Sequence, residues 1–125
     1  MRKFIQYSAL ACLLISLTGF AALAILPVKF EVPNTRLLND DKLRHFLVFF
    51  TLTLLAAIGL ARIKLLALIS ALVLFGFAVE YIQPLFGRQG DLKDALANLG
   101  GIAAAWSALG AASLRSALRQ TPPGN

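Results

Sequence analysis

The sequence predicts an all-α integral membrane protein, a bundle of four transmembrane helices. Two observations carry that expectation. Apolar residues make up 58% of the 125-residue chain and charged residues only 14%, and the mean hydropathy is +0.76. A soluble domain carries about 25% charged residues, and a soluble core of this size would leave much apolar surface in water. The apolar residues also gather into four long runs separated by short polar stretches, and about 20 such residues in a row cross a bilayer as a helix. A chain of this length holds one domain, spanning 1–125.

The first run, residues 4–26, is uncharged and follows Arg2 and Lys3. It is longer than the roughly 7–15 apolar residues of a signal-peptide core. An uncleaved helix is therefore expected, although Ala22-Leu23-Ala24 offers a cleavage-like pattern. Pro27 closes the helix, because proline breaks the backbone ladder. Residues 28–42 are mixed and polar and read as an extramembrane loop. The second helix is expected at about 43–61, near the short limit for a span. Asn39, Asp40 and Asp41 supply N-cap candidates, so it starts before the lipid does. Arg62-Ile63-Lys64 makes a basic turn. The third run, 65–86, is interrupted only by Glu80 and Gln83. The fourth helix is expected at about 94–114, with a polar tail from Arg115. Its Ala97, Gly101 and Ala105 recur every four residues. Such a row lets helices approach closely in lipid, where packing rather than water expulsion holds them. Packing within the chain is the expected use, and a homo-oligomer through this face the alternative.

The formal charge is +6. The basic residues lie between the apolar runs, where membrane-orienting charges belong, and not along one face. A nucleic-acid partner is therefore not expected, and membrane lipid is. The basic residues divide evenly between the two ends of the bundle, so the positive-inside rule gives no orientation. All six acidic residues fall towards the end with the 28–42 and 87–93 loops. That asymmetry puts both termini in the cytoplasm and the acidic end outside. The single cysteine, Cys12, has no intrachain disulfide partner.

The chemistry-bearing residues converge on the acidic end. Asp41, Lys42 and His45 open the second helix, Glu80 and Gln83 close the third, and Arg88, Asp91, Asp94 and Asn98 lead into the fourth. Residues three or four apart share a helix face, so Lys42 and Asp41 both neighbour His45, and Asp94, Asn98 and Gly101 form one stripe. Glu80 is the most informative. A carboxylate within a membrane helix is costly, faces the bundle interior and finds a partner. Arg88, Asn98, His45 and Lys42 are the candidates.

The stretch running from Glu80-x-x-Gln83 through Arg88, Asp91 and Asp94 to Asn98 and Gly101 resembles the signature of the VanZ-like membrane protein family: a Glu-x-x-Gln, then an Arg, an Asp, an Asn and a Gly at this spacing. Asp41-Lys42-x-x-His45-Phe46 resembles its upstream element. The likeness covers about half the chain. It implies a multi-pass bacterial membrane protein. It transfers no reaction, although one member gives the family a link to glycopeptide resistance.

Three functions are therefore carried forward. In the first, Lys42, His45, Gln83, Arg88, Asp91 and Asn98 bind an anionic, lipid-linked or cell-wall-related molecule, with arginine supplying a bidentate fork. In the second, Glu80 and Asp94 are the catalytic pair of a membrane-embedded hydrolase or transferase. In the third, the cluster is glue in an accessory subunit. Asp94 has its own structural reading as the N-cap of the fourth helix, as Lys93 does as a snorkelling anchor. No metal or other cofactor is expected, because no His or Cys pair has ligand spacing. Oxygen donors in the acidic cluster are the one route to a divalent cation.

Overall fold

The computed structural model describes residues 1–26, 40–87 and 90–120, the side chains of residues 118 and 120 excepted. Four α-helices account for most of them: α1 (Arg2–Ile25), α2 (Asp41–Gly59), α3 (Leu65–Ile82) and α4 (Leu92–Gln120). A 3-10 turn, Gln83–Phe86, extends α3. All four are long and apolar enough to cross a membrane, and the chain is a membrane protein by that measure. The helices run alternately up and down. One end of the bundle therefore gathers the finish of α1 and α3 and the start of α2 and α4.

The radial pattern suits lipid. Large apolar side chains such as Phe4, Ile15, Leu66, Leu74, Phe77 and Leu96 point outward, whereas His45, Thr53, Gln83, Asp94 and Asn98 point in. Thr18, Thr53, Ser107 and Ser113 each donate to a carbonyl of their own helix, as a medium without water favours. Thr53 Oγ1 donates to the Phe49 carbonyl at 2.7 Å, and Ser107 Oγ to the Ala103 carbonyl at 2.9 Å.

The second helix is the central one, lying along α4 and α1, with α3 against α4 and α2. Leu13, Phe49, Leu52, Ala56, Leu68, Leu72 and Ile102 make the apolar core. The small-residue row on α4 works within the chain. Ala105 is fully buried, and the Gly101 Cα lies so close to α2 that an added Cβ would meet the Phe46 carbonyl oxygen and, at 2.9 Å, the Phe50 nitrogen.

The boundaries differ from the hydropathy reading in instructive ways. The second helix begins at Asp41 because the Asp40 side chain caps it, accepting from the backbone N–H of Lys42 at 2.9 Å and of Leu43 at 3.3 Å. It ends at Gly59, with the turn closed by Ile63 N–H to the Leu60 carbonyl at 2.8 Å. Pro84 has no N–H to continue the α ladder, so α3 tightens into the 3-10 turn. Gly87 ends that turn with φ 76°, a left-handed value that favours glycine. The last helix continues to Gln120, beyond the expected polar tail at Arg115. Arg, Ala, Leu and Gln are strong helix formers, and leaving the lipid does not end a helix. Pro27, residues 28–39 of the expected 28–42 loop, and Arg88 lie outside the described residues.

Candidate functional site

The buried face of α2 is the stripe His45, Phe49, Leu52 and Ala56, spaced four, three and four apart as one helix face requires. The spacing that buries Phe49 therefore buries His45 as well. The same logic runs on α4, where Asp94, Asn98, Gly101 and Ala105 share a buried face. On α3 the stripe Leu72, Gly76, Val79 and Gln83 is buried, with Glu80 on its flank. Each polar group thus sits at the end of an otherwise apolar stripe, and the three stripes meet at the common end of the bundle.

His45 is the hub. Its Nδ1 is 3.0 Å from Asn98 Oδ1 and 3.5 Å from Glu80 Oε1. The hydrogen bond goes to Asn98, with Glu80 as a nearby charge. Its Nε2 faces Asp94 Oδ2 at 4.0 Å. Phe20 of α1 closes one side, its ring edge-on to the imidazole at 5.4 Å. Phe20, Phe49 and Phe75 form an apolar floor beneath. The side chains of His45 and Asp94 are each 6% exposed and that of Glu80 is 9% exposed, so the three titratable groups are nearly dehydrated.

The rim is different. Lys42 and Asp91 are about half exposed. Lys42 Nζ lies 3.9 Å from Asp91 Oδ2 and 4.0 Å from Asp94 Oδ1. Arg44 pairs with Asp41 at 3.2 Å. Asp91 caps α4 from the position before Leu92, its Oδ1 accepting from Lys93 N–H at 2.9 Å. The capping role considered for Asp94 therefore belongs to Asp91, and Asp94 is free to face the interior. The Asp91 N–H donates to Glu80 Oε2 at 3.2 Å, which ties the last loop to the end of α3. Gly90 makes that approach feasible, because a Cβ there would lie 2.6 Å from the Glu80 carbonyl oxygen.

The structure thus brings together Lys42, His45, Glu80, Asp91, Asp94 and Asn98. Gln83 is buried at the same end, 3% exposed, and Arg88 lies outside the described residues. Of Glu80's four candidate partners, His45 is in contact. Sequence spacing missed Phe20 and Gly90. Phe20 lies in a uniformly apolar helix and carries no polar signal. Gly90 shows its role only once Glu80 lies across from it.

Among the described residues, Glu80 Oε1, Asp94 Oδ1 and Asn98 Nδ2 are buried without a hydrogen-bond partner. Buried polar atoms are usually paired, and unpaired ones close to a histidine and two carboxylates suit a place where a ligand or a proton is exchanged. Compared with family models, with curated proteins and with solved structures, the chain matches none of them.

Proposed function

We propose that the chain is a multi-pass protein of the VanZ-like type in a bacterial cell membrane, both termini cytoplasmic. The centre around His45 acts on the polar head of an amphiphilic envelope molecule as a hydrolase or transferase. The observation behind this reading is the dehydrated imidazole set between Glu80 and Asp94. A histidine flanked by two carboxylates can take and return a proton, and proton transfer by a positioned side chain accelerates reactions about 10²–10⁴-fold. Glu80 and Asp94 are the acid–base partners, and Asn98 orients the ring. A purely structural cluster would be expected to hydrogen-bond its buried atoms, and three here make no hydrogen bond among the described residues, two of them having only long ion-pair contacts at 3.5 and 4.0 Å.

Binding of an anionic head group without chemistry is the second reading. It is favoured by Lys42, which is about half exposed and stands 3.9 to 4.0 Å from two carboxylates. A charge-assisted hydrogen bond is about 2.7–2.9 Å long, so its ammonium is loosely held and can turn to a phosphate or carboxylate. Arg88, outside the described residues, is the second cation this reading calls on. The weight moves towards chemistry because Asp41, Glu80, Asp91 and Asp94 outnumber the cations of the described cluster, which repels a deeply seated anion.

Purified protein in vesicles of bacterial envelope lipid tests both readings, with lipid products and retained lipid measured by mass spectrometry. Lipid turnover that disappears in Glu80→Gln, with the helical fold kept, is the expected result. Retention of anionic lipid that weakens in Lys42→Ala, without turnover, selects the second reading. Neither turnover nor retention by well-folded protein overturns the proposal.

A further inference from the structure

Asp41 and His45 lie four residues apart on α2, so their side chains leave the same face of the helix. Asp94 approaches them from α4. One ligand atom from each of the three lies within 4.8 Å of the others. The imidazole is oriented for metal binding. In the neutral tautomer whose Nδ1–H donates to Asn98 Oδ1 at 3.0 Å, the lone pair is on Nε2. Metal-bound histidines are held in this way, the other ring nitrogen donating to an oxygen.

That lone pair faces Asp94 Oδ2 at 4.0 Å, beyond hydrogen-bond reach. Two ligands of a tetrahedral zinc lie about 3.3 Å apart, so the 4.0 Å gap would close by under about 1 Å as Asp94 and the imidazole draw in on a metal. Asp94 is 5% exposed, and its Oδ1 makes no hydrogen bond among the described residues. Its cationic neighbour there, Lys42 Nζ, is 4.0 Å away on a half-exposed side chain that can turn outward, so the carboxylate retains binding capacity. Asp41 is only partly buried, and a side-chain rotation that gives up or shares its exposed pair with Arg44 completes the set.

We infer that Asp41, His45 Nε2 and Asp94 bind a divalent transition-metal cation, Zn²⁺ foremost. An imidazole with carboxylate oxygens suits zinc and its neighbours, and Zn²⁺ binds such donors more tightly than Mn²⁺. Mg²⁺ and Ca²⁺ take oxygen ligands. Three protein ligands leave a coordination position open, as in catalytic rather than structural zinc sites. At that position the metal would offer positive charge to an anionic head group, in a cluster otherwise rich in carboxylates. The absence of a metal was expected from spacing along the chain alone, whereas Asp94 joins the set from another helix. The inference rests on the reading of this centre as a working site; with a metal bound, His45 and Asp94 serve as its ligands and the acid–base role falls to Glu80.

The test is zinc titration of the full chain, purified in detergent and stripped with chelator, followed by calorimetry and by X-ray absorption at the zinc edge. One Zn²⁺ per chain is expected, with imidazole scattering and oxygen neighbours. His45→Gln and Asp94→Asn should each weaken affinity at least about tenfold, and Asn98→Leu about 10–100-fold through the lost orientation of the ring. Asp40→Asn, which keeps the helix cap outside the cluster, should leave affinity unchanged. No stoichiometric zinc, or a wild-type absorption spectrum without imidazole, overturns the inference even if a variant fails to fold. Lipid turnover that survives chelation and still requires Glu80 would sink the metal while leaving the acid–base reading intact.

Discussion

Replacing Gly101 by alanine adds one methyl group at the tightest point between α2 and α4. The new Cβ would meet the Phe46 carbonyl oxygen and would lie 2.9 Å from the Phe50 nitrogen. Ordinary contacts of this kind begin near 3.4 Å, and the Phe46 carbonyl oxygen is the closer obstacle, so the helices must separate by about 1 Å. The obstructing atoms are backbone, and no side-chain rotation relieves them. Overpacking of this kind costs about 1–3 kcal/mol, and backbone obstruction puts Gly101→Ala near the upper end. Helix propensity opposes it by up to about 1 kcal/mol. Gly110, on the same helix, has nothing within 4 Å of an added Cβ, so Gly110→Ala carries only the propensity gain. The difference between the two variants isolates the packing cost, about 3 kcal/mol. Reversible unfolding in mixed micelles, or steric trapping in bicelles, measures it. The site should respond too, since His45 precedes Phe46 and Asn98 lies one turn from Gly101. A separation of about 1 Å stretches their 3.0 Å hydrogen bond beyond the bonding range. Equal stabilities for the two variants would refute the close approach and the register that aligns His45 with Asn98.

Other substitutions separate structural from functional roles. Asp40→Ala should destabilise the protein by about 1 kcal/mol, while Asp40→Asn should be near neutral, because either Asp or Asn caps a helix; thermal unfolding in detergent reads both. Gly90→Ala should displace Asp91 from Glu80 and reduce turnover more than stability, because the obstruction falls on the 2.6 Å approach to the Glu80 carbonyl. Lys42→Met should change stability by less than about 1 kcal/mol, because its two ion pairs are long and the side chain is half exposed. The same change should weaken retention of anionic lipid, measured by native mass spectrometry.

The helices were legible because hydropathy is a property of the whole run, and lipid demands it of every residue. Their ends were less so. Hydropathy marks where lipid stops, whereas Asp40 and Asp91 mark where helices start, and the helix-forming residues after Leu114 carry α4 past its apolar run. At the site, i and i+4 spacing correctly united Asp41 with His45 and Asp94 with Asn98, since those relations lie within one helix. Which helix faces which was not written locally. The partner of Glu80 therefore stayed open among four residues, and the capping role considered for Asp94 belonged to its neighbour Asp91. Phe20 shows the same limit, as one phenylalanine among many outward-facing apolar residues until the imidazole lies against it.

The chain has one histidine, which permits a direct measurement of the proposed centre. Histidine labelled with ¹⁵N, combined with ¹³C-labelled aspartate and asparagine, can be studied by solid-state NMR in lipid bilayers. Dipolar recoupling should show His45 ring nitrogens coupled both to an aspartate carboxyl and to an asparagine amide carbon. The first coupling should vanish in Asp94→Leu and the second in Asn98→Leu. A histidine ring coupled to neither carbon, in protein whose helical fold is intact, would contradict a centre built around His45.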